Sequence, residues 1–139
     1  PPGAFAAFGA ASLDLDADLT LAVTAPPADD EKPLLVRAVS DGGRGGVRHV
    51  SDTALMVEAI GAAAAGAPYA TAGYYSVRAS VLREAEGARR DGVGALRLFF
   101  ERLLTRGYRV AAVPVAAGVD VDRPGDIPMA EALLRQVGA

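Results

Sequence analysis

Leu19-Thr20-Leu21-Ala22-Val23-Thr24 is an almost unbroken apolar run between Asp18 and the pair Pro26-Pro27. Its length and its punctuation predict a strand buried on both faces, the kind found in sheets covered by other elements. Upstream, Pro2-Gly3 leads into an alanine-rich segment with Phe5 and Phe8 three residues apart, which predicts a short helix up to Ala11. An acidic connector, Ser12 to Asp18, joins that helix to the strand. Downstream, Ala25 to Lys32 is a polar loop and Pro33 to Val39 a second strand. Asp41-Gly42-Gly43-Arg44-Gly45-Gly46 has the chemistry of a hairpin turn, with Val47 to Val50 as the returning strand.

Further along, Ser51 to Gly66 fits two readings, one of them a helix whose face carries Leu55, Met56, Ala59 and Ile60, ended by Pro68. Tyr69 to Val77 predicts a strand, and Gly73 inside it marks a bulge or the close approach of another group. Ser80 to Gly87 predicts a helix. Leu96, Phe99, Phe100 and Leu103 follow helical spacing, so an amphipathic helix is expected from about Val93 to Arg106, with Gly107 at its C-cap. Tyr108 to Val115 and Val119 to Asp122 read as strands. A last helix runs from about Asp126 to Val137, with Ile127, Ala130, Leu134 and Val137 on one face. Such interleaving predicts an α/β or α+β fold around a sheet of mixed direction.

Composition narrows the functions. The chain has 139 residues, 51% of them hydrophobic and 22% charged, which suits one folded domain. A net charge of −3 and a pI near 5.1 argue against a non-specific grip on nucleic acid or anionic lipid. Without cysteine there is no thiolate chemistry, and with His49 alone there is no two-histidine mechanism. No run approaches the roughly 18 apolar residues of a membrane span, and the first residues lack signal-peptide character, so a cytoplasmic protein is expected. Pro1-Pro2-Gly3 lacks an initiator Met, which suggests a piece of a longer protein.

Chemistry concentrates in Val119-Asp120-Val121-Asp122-Arg123-Pro124-Gly125-Asp126-Ile127. Alternation along a strand points Asp120 and Asp122 the same way. Two such carboxylates repel unless a cation or donors neutralise them, and Mg²⁺ takes oxygen ligands of this kind together with substrate phosphates. Against this stands a purely structural reading, in which Asp122 or Asp126 caps the last helix and Asp120 is solvated. Elsewhere the glycine-rich segment at Asp41 to Gly46 lacks the Gly-Lys-Ser/Thr ending of a phosphate loop, so a turn is preferred. Glu31-Lys32 offers a phosphate contact or a solvated pair, Arg89-Arg90 a solvated helix end, and Tyr74-Tyr75 an aromatic pair packed in a strand.

The segment from Asp120 to Leu134 resembles the C-terminal end of the nucleotidyltransferase family, which includes the MobA-like and sugar-phosphate nucleotidyltransferases of the GT-A-like fold. The family pattern is Asp-hydrophobic-Asp-Thr/Arg-Pro-Glu-Asp-hydrophobic before a helix with Ala-Glu, and here Gly125 replaces the Glu. Thr71-Ala72-Gly73-Tyr74-Tyr75 resembles the family's acceptor-facing strand, and Leu21 to Thr24 and Glu31-Lys32-Pro33-Leu34 fit the pieces between. The family's glycine-rich Gly-Gly-X-Gly-X-Arg loop, its following lysine and the aspartate that precedes the segment resembling Pro1 to Phe5 are not in this sequence.

The resemblance implies a mixed, mainly parallel sheet flanked by helices, open on the side where the missing nucleotide-binding part would pack. Residues 1–139 would then be the C-terminal, acceptor-side part of one domain. It implies transfer of a nucleotidyl group from an NTP to a phosphorylated acceptor of the sugar-phosphate type, with release of pyrophosphate. Mg²⁺ would be the cofactor, with Asp120 or Asp122 as a ligand, while Thr71, Gly73 and Lys32 would serve the acceptor. The N-terminal half would come from the longer protein or from another chain, and a homo-oligomer is compatible with this. The alternatives are a non-catalytic regulatory or assembly module of the same fold, and a nucleotide-sugar-dependent glycosyltransferase using Asp120-Val121-Asp122 as its Asp-X-Asp pair.

Overall fold

The computed structural model describes residues 2–26, 32–40, 54–116 and 124–137. Its strands are β1 (Leu19–Thr24), β2 (Leu35–Ser40), β3 (Leu55–Ile60), β4 (Tyr69–Val77) and β5 (Val110–Pro114), and its helices are α1 (Pro2–Asp14), α2 (Ala79–Arg90), α3 (Leu96–Thr105) and α4 (Ile127–Val137). The strands close into a barrel in the order β1-β4-β2-β3-β5. Only β1 and β5 run parallel, with Leu19 opposite Val110 and Val23 opposite Pro114. The other pairings are antiparallel.

This corrects the expected architecture. A mainly parallel GT-A-like sheet, open along one side, is replaced by a closed ring of mostly antiparallel strands. Two register breaks give the physical reason. Leu21 pairs with Tyr75 and Val23 with Thr71, so Ala72, Gly73 and Tyr74 bulge opposite Ala22. On β2, Arg37 pairs with Ala59 and Ala38 with Val57, which leaves Glu58 out of register. Bulges bend a strand and increase its twist, and a strongly curved sheet can meet itself. Closure is then made by short contacts: Leu35 and Val36 against Ala70 and Tyr69, and Leu55 and Met56 against Ala112 and Ala111.

Within Ser51 to Gly66, which fitted two readings, the residues from Leu55 onward take the one without a helix. Leu55–Ile60 is a strand, and a short 3-10 turn, Gly61–Ala64, follows it. The helix at the N-terminus is longer than expected and takes in part of the acidic connector, reaching Asp14. The hairpin turn at Asp41 to Gly46, the strand at Val47 to Val50 and the strand at Val119 to Asp122 lie outside the described residues.

β1 is covered on both faces, as its apolar run requires. Leu19, Leu21 and Val23 join Val36, Val57, Ile60, Val110 and Ala112 in the main core, with Val81 of α2 and Phe100 and Leu103 of α3 packed in. Ala22 and Val113 face the other way, against Phe8 and Ala11 of α1. Fully burying one such Leu or Val side chain stabilises the fold by about 1.5–3 kcal/mol.

α3 ends as its glycine predicts. Gly107 has φ +80, its N–H donates to the Leu104 carbonyl at 3.0 Å, and the Tyr108 N–H donates to the Leu103 carbonyl at 3.1 Å. That pair of bonds is a Schellman cap, and Tyr108 packs against the core beside Leu103 as the motif favours. α2 and α3 are joined by charge. Arg102 Nε lies 2.6 Å from Glu84 Oε1, Arg106 Nε lies 3.1 Å from the same oxygen, and Arg102 Nη2 lies 2.8 Å from Asp91.

Candidate functional site

The β4 bulge builds a cavity. Gly73, at its centre, has φ +84, a conformation in which a Cβ is disfavoured. A Cβ built there meets nothing within 4 Å, so backbone geometry rather than crowding requires the glycine. The space beside it is part of a cavity of about 80 Å³ lined by Leu21, Leu34, Thr71, Gly73, Tyr74, Tyr75, Leu96 and Phe100. β1, β4, the approach to β2 and the first turns of α3 all contribute walls.

Local structure fixes those walls. The Thr71 N–H donates to the Leu34 carbonyl at 3.0 Å, which ties β4 to the segment entering β2. Tyr75 meets Phe100 edge-on, with ring centroids 5.3 Å apart at 79°. Tyr74 turns to the opposite face, where Phe8 of α1 meets it edge-on at 5.0 Å and Phe5 lies at 5.6 Å. Burial there holds the Tyr74 phenol above its ordinary pKa, because the charged phenolate would be poorly solvated. Arg97 Nη2 donates to the Lys32 carbonyl at 3.2 Å. Leu34 and Leu96, close in sequence to that pair, both line the cavity, so the bond links two of its walls.

Thr71 and Gly73, picked from sequence for substrate, therefore lie on one cavity, and Lys32 is exposed on the loop linked to α3 beside it. Asp120 and Asp122, picked for metal, lie outside the described residues, as do Glu31 and His49. Among the described residues no group of three His, Cys, Asp or Glu side chains is placed to hold a metal ion. The magnesium reading rests on two carboxylates that this group does not include. Sequence reasoning missed Leu21, Leu34, Leu96, Phe100 and Arg97. Only Tyr75 had a usable signal, since alternation from Thr71 through Gly73 leads to it.

A second, wider cleft of about 390 Å³ opens between Asp18, Glu84, Arg106, Gly107 and Tyr108. Its charges are internally matched. Asp18 accepts from Ser80 Oγ at 2.8 Å and from the Arg109 N–H at 3.0 Å, and Glu84 is held by Arg102 and Arg106. The Ser80 hydroxyl, more than any other group, holds the Asp18 carboxyl below its ordinary pKa; the Arg109 N–H adds to this, burial opposes it, and the charges of Arg78 and Arg109 make smaller contributions in the lowering direction. Arg109 and Arg78 in turn pair with Asp16. This is a brace joining α2, α3 and the starts of β1 and β5.

No protein-family model matches this chain, and no curated protein matches it. No helix among the described residues is long and apolar enough to cross a membrane.

Proposed function

We propose that the chain holds the acceptor in a nucleotidyl transfer, in which an NTP and a phosphorylated small molecule react with release of pyrophosphate. One observation carries the reading. Two residues chosen for the acceptor from the sequence resemblance, Thr71 and Gly73, line the same cavity.

In this reading the acceptor's carbon skeleton enters the cavity and Thr71 Oγ hydrogen-bonds it. Lys32 and Arg97 supply positive charge for its phosphate. An oxygen of that phosphate attacks the α-phosphorus of the NTP, the bond to the β-phosphate oxygen breaks, and pyrophosphate leaves. Magnesium, when bound through Asp120 or Asp122, supplies charge neutralisation at the α-phosphate and the leaving group. Catalysis is positioning and electrostatics, and needs no covalent intermediate on the chain. The reading requires a triphosphate-binding part in addition to the acceptor cavity.

One observation favours a second reading, a non-catalytic binding module. The cavity's lining side chains are leucine, threonine, tyrosine and phenylalanine, none of them charged at neutral pH. The two readings part in one experiment. The protein at its natural length is given each NTP, Mg²⁺ and a panel of phosphorylated acceptors, and pyrophosphate is measured. Acceptor-dependent release supports the transferase. Binding of an acceptor with no release under any NTP supports the module.

A further inference from the structure

The cavity at the β4 bulge is too small and too apolar for a sugar ring. Its volume of about 80 Å³ is roughly half that of the ~150 Å³ apolar cavity that holds a benzene molecule. Leu21, Leu34, Leu96, Tyr75 and Phe100 are among its lining, which is predominantly apolar. Thr71 offers the one aliphatic hydroxyl, and the Tyr74 ring is packed on α1. A hexose has hydroxyls all round its ring, and most would be stripped of water here with nothing to replace it, at a cost for each one.

We infer that this cavity receives a compact aliphatic group of the ligand, about three or four carbon atoms in size. The inference deepens the acceptor reading above, and rests on it only for the phosphate at the ligand's other end. The aliphatic group lies against the leucine side chains and the Tyr75–Phe100 pair. Thr71 Oγ takes a single polar substituent, and the charged end stays outside the cavity. Tyr75 and Leu96 are half exposed, so the cavity is entered from their side.

The test reads binding directly and does not depend on turnover. Leucine methyl groups are labelled, and isobutanol, isobutyl phosphate, inorganic phosphate, glucose 1-phosphate and N-acetyl-leucinamide are titrated separately. Isobutanol should shift the Leu21, Leu34 and Leu96 methyls saturably, and isobutyl phosphate should do so at lower concentration. Inorganic phosphate should leave them in place. Leu96→Trp fills the cavity from its exposed side and should weaken isobutyl phosphate at least tenfold. Leu96→Ala widens the cavity and should admit cyclohexanol, which the parent protein binds less well; because Leu96 is half exposed, both variants should keep the parent's melting temperature to within a few degrees. The proposal is overturned if glucose 1-phosphate saturates these methyls and isobutanol does not, or if none of the probes shifts them. Tenfold tighter saturation by N-acetyl-leucinamide than by isobutyl phosphate would also overturn it, in favour of a polypeptide side chain as occupant. Absence of pyrophosphate release would defeat the transferase reading and leave these shifts unchanged.

Discussion

Ser80 Oγ donates a 2.8 Å hydrogen bond to Asp18 Oδ1, and so links the first turn of α2 to the residue that opens β1. The bond favours the ionised carboxylate and is the largest reason that Asp18 titrates below the ordinary aspartate value of about 3.9. A lowered folded pKa means that Asp18 stabilises the fold above the ordinary value. That contribution is lost as pH falls from there through the folded pKa. Ser80→Ala should move the Asp18 carboxyl toward its ordinary pKa and flatten the acid limb of the stability curve. Carboxyl carbon titration by NMR and thermal melts across the acid range would read both effects. An unchanged Asp18 titration in Ser80→Ala would show that the Arg109 N–H suffices.

Gly61 and Gly73 both have positive φ, at +69 and +84, so both should pay backbone strain when replaced by alanine. At Gly73 a Cβ meets nothing within 4 Å, so Gly73→Ala should cost only the conformational strain, about 1 kcal/mol. At Gly61 the new Cβ would meet the carboxylate at the end of the flexible Glu101 side chain, which can swing aside, so Gly61→Ala should cost about the same strain. In a Glu101→Ala background the Gly61→Ala penalty should change little, because the Glu101 side chain is free to turn away. Urea denaturation of the set measures the coupling.

Leu103 is fully buried and also accepts the closing bond of the α3 cap through its carbonyl. Leu103→Ala should destabilise by about 2–5 kcal/mol, through lost burial and the cavity left behind. Gly107→Ala leaves the core intact and should cost about 1 kcal/mol, from strain at φ +80. Equal losses in the two variants would mean that the core relaxes around the missing leucine.

Thr71→Val keeps the shape of the side chain and removes its hydroxyl. If Thr71 Oγ bonds the ligand, affinity for isobutyl phosphate carrying a hydroxyl next to the branch should drop about fivefold, the worth of one neutral hydrogen bond of about 1 kcal/mol. Affinity for isobutyl phosphate itself should stay within twofold. Calorimetry on the two ligands separates the hydroxyl's effect from any change in packing.

Much of the element list was legible, because local patterns determine it. Leu19 to Thr24 and Tyr69 to Val77 match the observed strands, and the spacing of Leu96, Phe99, Phe100 and Leu103 marks α3. Leu55-Met56-Val57-Glu58-Ala59-Ile60 stayed ambiguous because a short, mostly apolar segment fits a helix turn or a strand equally well, and pairing with β2 and β5 decides it. The barrel was not legible at all. It depends on two-residue pairings between distant segments and on register breaks, and neither leaves a local signature in the sequence. The cavity was half legible. Thr71 and Gly73 stand in one strand, whereas Leu34 and Leu96 reach it from segments that only the closed ring brings together.

Asp18 and Arg109, which hydrogen-bond at the start of the parallel seam between β1 and β5, are 91 positions apart in the chain. A contact across that span carries a large loop-closure cost before it returns any stability. The β2–β3 pairing and the helical turns involve shorter loops and can form while the seam is open. The ring therefore closes late in folding, with β1 waiting for β5. Substitutions that weaken the seam at Ala112 or Val110 should speed unfolding and leave the folding rate nearly unchanged. Amide hydrogens along the Leu19 to Val23 seam should then acquire exchange protection after those of β2 and β3. On a nascent chain, β1 can pair with β4 along one edge, but its other edge stays open until β5 has been made, so this barrel is most prone to aggregate before its synthesis is complete.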